Sequence, residues 1–391
     1  MSHTIQAPGG TKRVAEPPRS HPPAAPRRRR FVSLTRARRV TAVILFLGLL
    51  AAPFLLSGFR LGLLAKYLTY AILAIGLDVA WGYGGMLSLG HGLFFGLGGY
   101  AMAMHLKLVA AGGRLPDFMS WSGTAALPVW WEPFSNLAFT LTAAVVVPAL
   151  VGGGLGYIVF RNRVRGAYFA ILTQALVAAF AIVLVGQQGV TGGTNGMTNF
   201  TTLAGYDLTS PAVQRGLYLI VVAALAGSYL IARQLVRSRF GSLLIATRDG
   251  EDRVRFLGYS PTVTKAATFA FSAALAGLAG ALFVPIVGII APGIIGIIPS
   301  IQMVLWVAVG GRGTLYGAAL GAVLFGLGQT TLSEAMPSGW LYLQGALLVA
   351  VLVFAPRGLA GLIDGIRRRV ARVAASLGGF GRAPTGAELP G

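Results

Sequence analysis

The 391-residue chain contains no cysteine. That absence removes disulfides, thiolate metal sites and cysteine nucleophiles together, and leaves the redox compartment unread. Charge is scarce as well: Asp, Glu, Lys and Arg make up 11% of the residues, against about 25% in a soluble domain. With 55% hydrophobic residues and a mean hydropathy of +0.72, the composition is that of a polytopic membrane protein. Lysine occurs only at positions 12, 66, 107 and 265, and never after a glycine. The Gly-Lys-Ser/Thr of a P-loop, which holds nucleotide phosphates with backbone amides and a lysine, is therefore missing. His3, His21, His91 and His105 have no metal-ligand spacing, and no Ser/His/Asp set stands out. No catalytic residue, metal or cofactor is assigned.

What the chain does have is a series of apolar segments near the ~20 residues that cross ~30 Å of hydrocarbon as a helix. They lie at about 40–57, 61–80, 86–106, 136–160, 166–186, 216–232, two between 266 and 311, then 313–332 and 339–355. The expected fold is an all-α polytopic membrane protein of about ten transmembrane helices, some broken or short. The pair after Lys265 follows from length. No charge occurs from 266 to 311, roughly 69 Å of helix, which is too long for one crossing. Pro292, Gly293 and Pro299 mark the turn or break, and the second member, Ile301 to Gly310, is short, as in a broken helix lining a cavity.

The net charge of +21 resides mainly at the ends and in short loops, which fits membrane topology and not nucleic-acid binding. The inside group is the N-terminal arm, Arg161/Arg163/Arg165, the 233–265 loop, Arg312 and the basic tail. Outside loops retain only Arg60, Lys107, Arg114 and Arg215, so both termini are expected in the cytoplasm. Residues 1–39 read as a disordered basic arm touching lipid headgroups, 40–357 as the membrane domain and 358–391 as a basic cytoplasmic tail. The long outside loops are 107–135, with Trp121, Trp130 and Trp131, and 187–215, with Gly192-Gly-Thr-Asn-Gly196. For each, a partner site stands beside the simpler reading of interfacial anchoring and turns.

One stretch is dense in charge: Ala246 to Lys265, with Arg248, Asp249, Glu251, Asp252, Arg253 and Arg255. Charges bunched between spans must lie at a membrane face, where a soluble partner can reach them. A second stretch, Gly82 to Tyr100, has glycines at 82, 84, 85, 90, 92, 96, 98 and 99. These allow close helix contact or an unwound segment in which Ser88, Gly90 and His91 face a polar passage; tight packing with His91 merely hydrogen-bonded is the competing reading. Thr173, Gln174 and Gln302 are further path candidates, because hydroxyl and amide groups serve a neutral solute without fixed charge. Asp78 is expected near the cytoplasmic end of its helix, with interfacial and transport roles both open.

Four segments carry a resemblance: Leu87–Tyr100, Arg165–Ala175, Ala246–Gly258 and Trp306–Gly317. Together they resemble the inner-membrane permeases of the branched-chain amino acid ABC transporter family, over roughly residues 40 to 362. The Asp249–Phe256 run, Pro116-Asp-Phe-Met119 with Trp130-Trp-Glu-Pro-Phe134, and Gly192–Phe200 are most similar to the urea-transporting branch; Thr194 and Gly250 depart from its usual asparagine and alanine. The resemblance implies a bacterial inner-membrane import subunit, not an enzyme, that works with two cytoplasmic ATPases, a second related permease and an extracytoplasmic binding protein. It also implies a coupling helix from about Ala246 to Leu257, ended by Gly258, with Ile245, Val254 and Phe256 as anchors. Urea is the expected solute and branched-chain amino acids the alternative. A passive urea channel and a membrane enzyme are the readings from other classes.

Overall fold

The computed structural model describes residues 46–337, 339–354 and 358–361; the expected arm and most of the tail lie outside them. Contacts divide the chain into Met1–Leu49 and Leu50–Gly391. Everything below belongs to the second unit, apart from the start of the short apolar helix Phe46–Leu55.

Among the described residues, eight helical stretches are long and apolar enough to cross a membrane. Seven are built on α1 (Gly58–Asp78), α2 (His91–Ala111), α3 (Leu137–Arg161), α4 (Ala167–Gly186), α5 (Pro211–Arg237), α8 (Pro261–Val287) and α10 (Leu315–Ala335). Between α5 and α8 stand two shorter helices, α6 (Arg239–Asp249) and α7 (Glu251–Phe256). The eighth crossing is the broken one expected after α8. A single turn, Pro292–Ile295, precedes α9 (Ile297–Gly310), and the break falls at Gly296. Pro299 causes no break, because it sits in the first turn of α9, where its missing N–H costs no hydrogen bond. α9 therefore begins four residues earlier than the expected Ile301. The last described helix, α11 (Trp340–Phe354), and Phe46–Leu55 are the tenth and first expected crossings; both have apolar stretches shorter than the other eight.

Backbone proximity decides which helices are central. A Cβ added at Gly98 of α2 would overlap the Gly277 backbone of α8, one at Gly280 the backbone of Phe95, and one at Gly277 the Ala144 carbonyl and Pro148 of α3. Such contacts replace the hydrophobic effect, which gives little drive between helices in lipid. The most apolar stretches of α1 and α2 are 78% buried, whereas those of α4 and α5 are 28% and 22% buried. All eight are apolar, but the well-buried stretches of α1 and α2 are the less hydropathic of these four.

Two chain segments interrupt the bundle. After α1 the helix widens into a π-helical stretch, Val79–Tyr83, and residues 84–90 are not helical, so the expected span 86–106 begins only at His91. At the far end of α8 the chain forms a short strand β4 (Ile289–Ile290) that pairs antiparallel with β1 (Met197–Thr198), Met197 opposite Ile290 and Thr198 opposite Ile289. A second small hairpin joins β2 (Thr202–Leu203) to β3 (Tyr206–Asp207).

Candidate functional site

The unwound 84–90 segment delivers Ser88 and His91 to the centre of the bundle. His91 Nε2 lies 2.7 Å from the Ser272 hydroxyl of α8, and Nδ1 lies 3.0 Å from the Ser88 hydroxyl. Ser272 is eleven residues into α8, about 16 Å from its start, so the imidazole sits well inside the span. The first turn of α2 meets the first turn of α9 there: the Gly92 amide donates to Ser300 Oγ at 3.2 Å. The Leu89 amide donates to Thr173 Oγ1 of α4 at 3.1 Å. Two helix N-termini, whose first amides have no partner within their own helices, thus converge on a ring of hydroxyls and one imidazole. Ser88, His91, Ser272 and Ser300 are fully buried.

An apolar crevice adjoins this centre, lined by Gly90, Phe94, Phe169, Leu172, Thr173 and Phe269 among others. Gln302 of α9 donates to Gln344 of α11 at 3.0 Å. Gln174 is half-buried, and its side chain makes no hydrogen bond among the described residues. Of the expected path residues, Ser88, Gly90, His91 and Thr173 therefore come together, while Gln174 and Gln302 stand apart. Both ring nitrogens of His91 are engaged within the bundle. Ser272 and Ser300 escaped sequence reasoning, since a serine in an apolar run carries no signal of which neighbour it faces. Gln344 lies in an apolar run as Gln302 does, and was legible on the same ground.

At one face of the bundle stand α6 and α7. The expected single coupling helix from Ala246 to Leu257 is instead two helices meeting at Gly250. Glycine weakens a helix by about 1 kcal/mol, and Glu251 and Asp252 then favour a new N-terminus by opposing its dipole. Glu251 is the hub. Its carboxylate meets Lys265 Nζ at 2.6 Å, Arg165 Nε at 3.2 Å and Arg255 Nη2 at 3.1 Å. It ties α7 to the start of α8 and to the turn before α4. Arg248 also points inward: Nη1 donates to the Gly82 carbonyl at 2.8 Å and Nε to Asp249 at 2.8 Å. That hydrogen bond holds the Asp249 carboxyl below the usual carboxylate range.

The outward surface is different. Phe256 is 92% exposed and Leu257 75%, with Gly258 (φ +84°) and Tyr259 completing the turn into α8. Asp252 and Arg253 are exposed beside them. Val254, expected as an anchor, is buried within the chain, and Ile245 is half-buried, so Phe256 alone of the three faces outward.

At the opposite face, Lys107 is not a loop residue but part of α2, buried and paired with Asp117 at 2.8 Å. Its Nζ also lies 5.9 Å from the Phe200 ring, so Lys107 joins the two long loops. Trp121 and Trp130 are exposed, while Trp131 turns onto Phe134 at 5.0 Å.

A family model described as "Branched-chain amino acid transport system / permease component" matches residues 59–355. The chain belongs to that family. This permease is 28% identical over 331 residues to the high-affinity branched-chain amino acid transport system permease protein LivM of Salmonella typhimurium, covering 79% of this chain and 72% of the relative. It is 24% identical to the BraD permease protein of Pseudomonas aeruginosa, over 75% of this chain and 92% of that one. A probable branched-chain amino acid transport permease LivM of Methanocaldococcus jannaschii is 25% identical over 74% of this chain and 90% of its own length. No solved structure matches the permease at a significant level. Family and spans together make it a multi-pass bacterial inner-membrane protein. The matched region contains both the buried polar centre and the α6–α7 face.

Proposed function

We propose that the chain is one of two related permease subunits of an ABC importer. It provides the translocation path for a small neutral solute, urea first and branched-chain amino acids as the alternative. The observation that carries the ATP-coupled reading is Phe256, almost fully exposed at the tip of a helix held in place by the Glu251 ion pairs. An apolar knob on a fixed charged helix is the form a docking anchor takes, with Asp252 and Arg253 setting register. A passive channel needs no such feature. The arm 1–39, the 233–265 loop and the tail 358–391 are taken as cytoplasmic, and the ATPases as two separate subunits docking there. The segments between α2 and α3 and between α4 and α5 face the binding protein.

The polar centre supports an uncharged passenger. Ser88, Thr173, Ser272, Ser300 and His91 offer hydroxyl and imidazole groups and no fixed carboxylate or ammonium. Urea is favoured by the outer-loop motifs Pro116–Met119, Trp130–Phe134 and Gly192–Phe200, which resemble those of the urea-transporting branch. The names of the relatives favour branched-chain amino acids.

The test uses the complete complex in liposomes, supplied with labelled urea and ATP, with leucine as competitor. ATP-dependent urea uptake unaffected by a large excess of leucine is expected. Phe256→Ala should lower uptake and ATP hydrolysis together by tenfold or more, because docking is lost. Leucine uptake without urea uptake overturns the solute assignment. Urea flux through the isolated chain without ATP overturns the importer.

A further inference from the structure

Asp78, the last residue of α1, is completely buried. Its Oδ1 accepts the Gly313 amide at 2.7 Å, and Oδ2 has no hydrogen-bond partner among the described residues. A carboxyl within a membrane span is expensive, and this one, faced by the Gly313 and Thr314 amides with Arg312 nearby, asks for a role. Gly313 belongs to the turn between α9 and α10, where Gly311 and Gly313 have φ of +118° and +77°. Flexible as a peptide, that turn is fixed here by the acceptor that Asp78 provides.

The same carboxyl is one link in a series. Gly82, in the π-helical stretch, packs so closely that an added Cβ would overlap both the Asp78 carboxyl and the Gly313 backbone. The Gly82 carbonyl is the acceptor of Arg248 from α6, whose aliphatic stem lies against Gly85. From α6 the connection therefore runs through Arg248 to Gly82, across Asp78 to Gly313, and into α9. That helix is 14 residues long, about 21 Å, and its first turn holds Ser300 against Gly92 at the polar centre. π-Helical stretches commonly mark functional sites, and this one stands in the middle of the series.

We propose that Asp78 is a positioning residue for coupling. It passes a displacement of α6–α7 to the broken helix α9 by holding the Gly313 turn against Gly82. The proposal rests on the importer reading, but Asp78 is no part of the docking surface, because a fully buried carboxyl touches no ATPase. What matters is an acceptor at the place of Oδ1, not the charge. Asparagine keeps that acceptor and loses no bond at Oδ2; glutamate keeps the charge and moves the acceptor by one methylene.

The experiment compares Asp78→Asn, Asp78→Glu and Asp78→Ala in the complete reconstituted complex, reading labelled solute moved per ATP hydrolysed. Urea and leucine are both assayed. Asp78→Asn is expected within twofold of wild type. The Glu and Ala variants should fall tenfold or more in that ratio while ATP hydrolysis stays within twofold. If Asp78→Ala does not assemble, the Asn and Glu variants decide alone. The proposal is overturned if Glu couples better than Asn, if Ala keeps the wild-type ratio, or if ATP hydrolysis falls in step with uptake. A wild-type complex that moves neither solute with ATP defeats the importer reading itself, a result the variants cannot mimic.

Discussion

At the face carrying α6 and α7, order comes from side-chain charge, with Glu251 drawing Lys265, Arg165 and Arg255 onto one carboxylate. At the other end of α8, the chain after Val287 is held by backbone, through the β1–β4 pair and the close approach of Gly196 to Ile290. The first arrangement concentrates charge where water reaches its outer members. The second closes the bundle with amides and carbonyls satisfied internally, as backbone away from water requires. Among the described residues, the ion pair at that end is the matched Lys107–Asp117, whereas the α6–α7 face gathers several charges on one carboxylate.

Three substitutions test this contrast. Glu251→Ala should have the largest effect, destabilising the purified protein by about 3 kcal/mol in thermal unfolding, because it leaves the nearly buried Lys265 ammonium without its partner. A loss below about 1 kcal/mol would mean that charge does not organise that face. Gly196→Ala comes next, at about 2 kcal/mol, since φ of +68° strains any L side chain and the new Cβ meets the Ile290 carbonyl. If Gly196→Ala melts like wild type, the backbone clasp is not what closes that end. Asp252→Asn should be smallest, within about 0.5 kcal/mol, because its pairs with Arg165 and Arg255 are long and its side chain is 71% exposed. An effect matching that of Glu251→Ala would show a distributed network instead of a single hub.

The charged face is largely legible in the order of residues alone. Arg248, Glu251 and Arg255 lie in a run whose composition departs from everything around it, and lipid excludes such a run from the span. Their division into inward and outward groups is not legible there. Arg248 and Glu251 turn in because Gly82, Arg165 and Lys265, up to 166 positions away, are brought beside them. The break at Gly250 is hidden for a related reason, as glycine lowers helix propensity only slightly and its neighbours decide the outcome.

The membrane class, the broken crossing after Lys265, the glycine-rich stretch and the place of the charge all follow from the linear chain, because hydropathy, length and glycine content are properties of contiguous residues. The folded bundle alone makes His91 meet Ser272, Ser300 meet Gly92, and Asp78 meet Gly313. Those meetings depend on which helix faces approach, and in an apolar environment that choice is made by close packing between remote glycines, which no local pattern encodes.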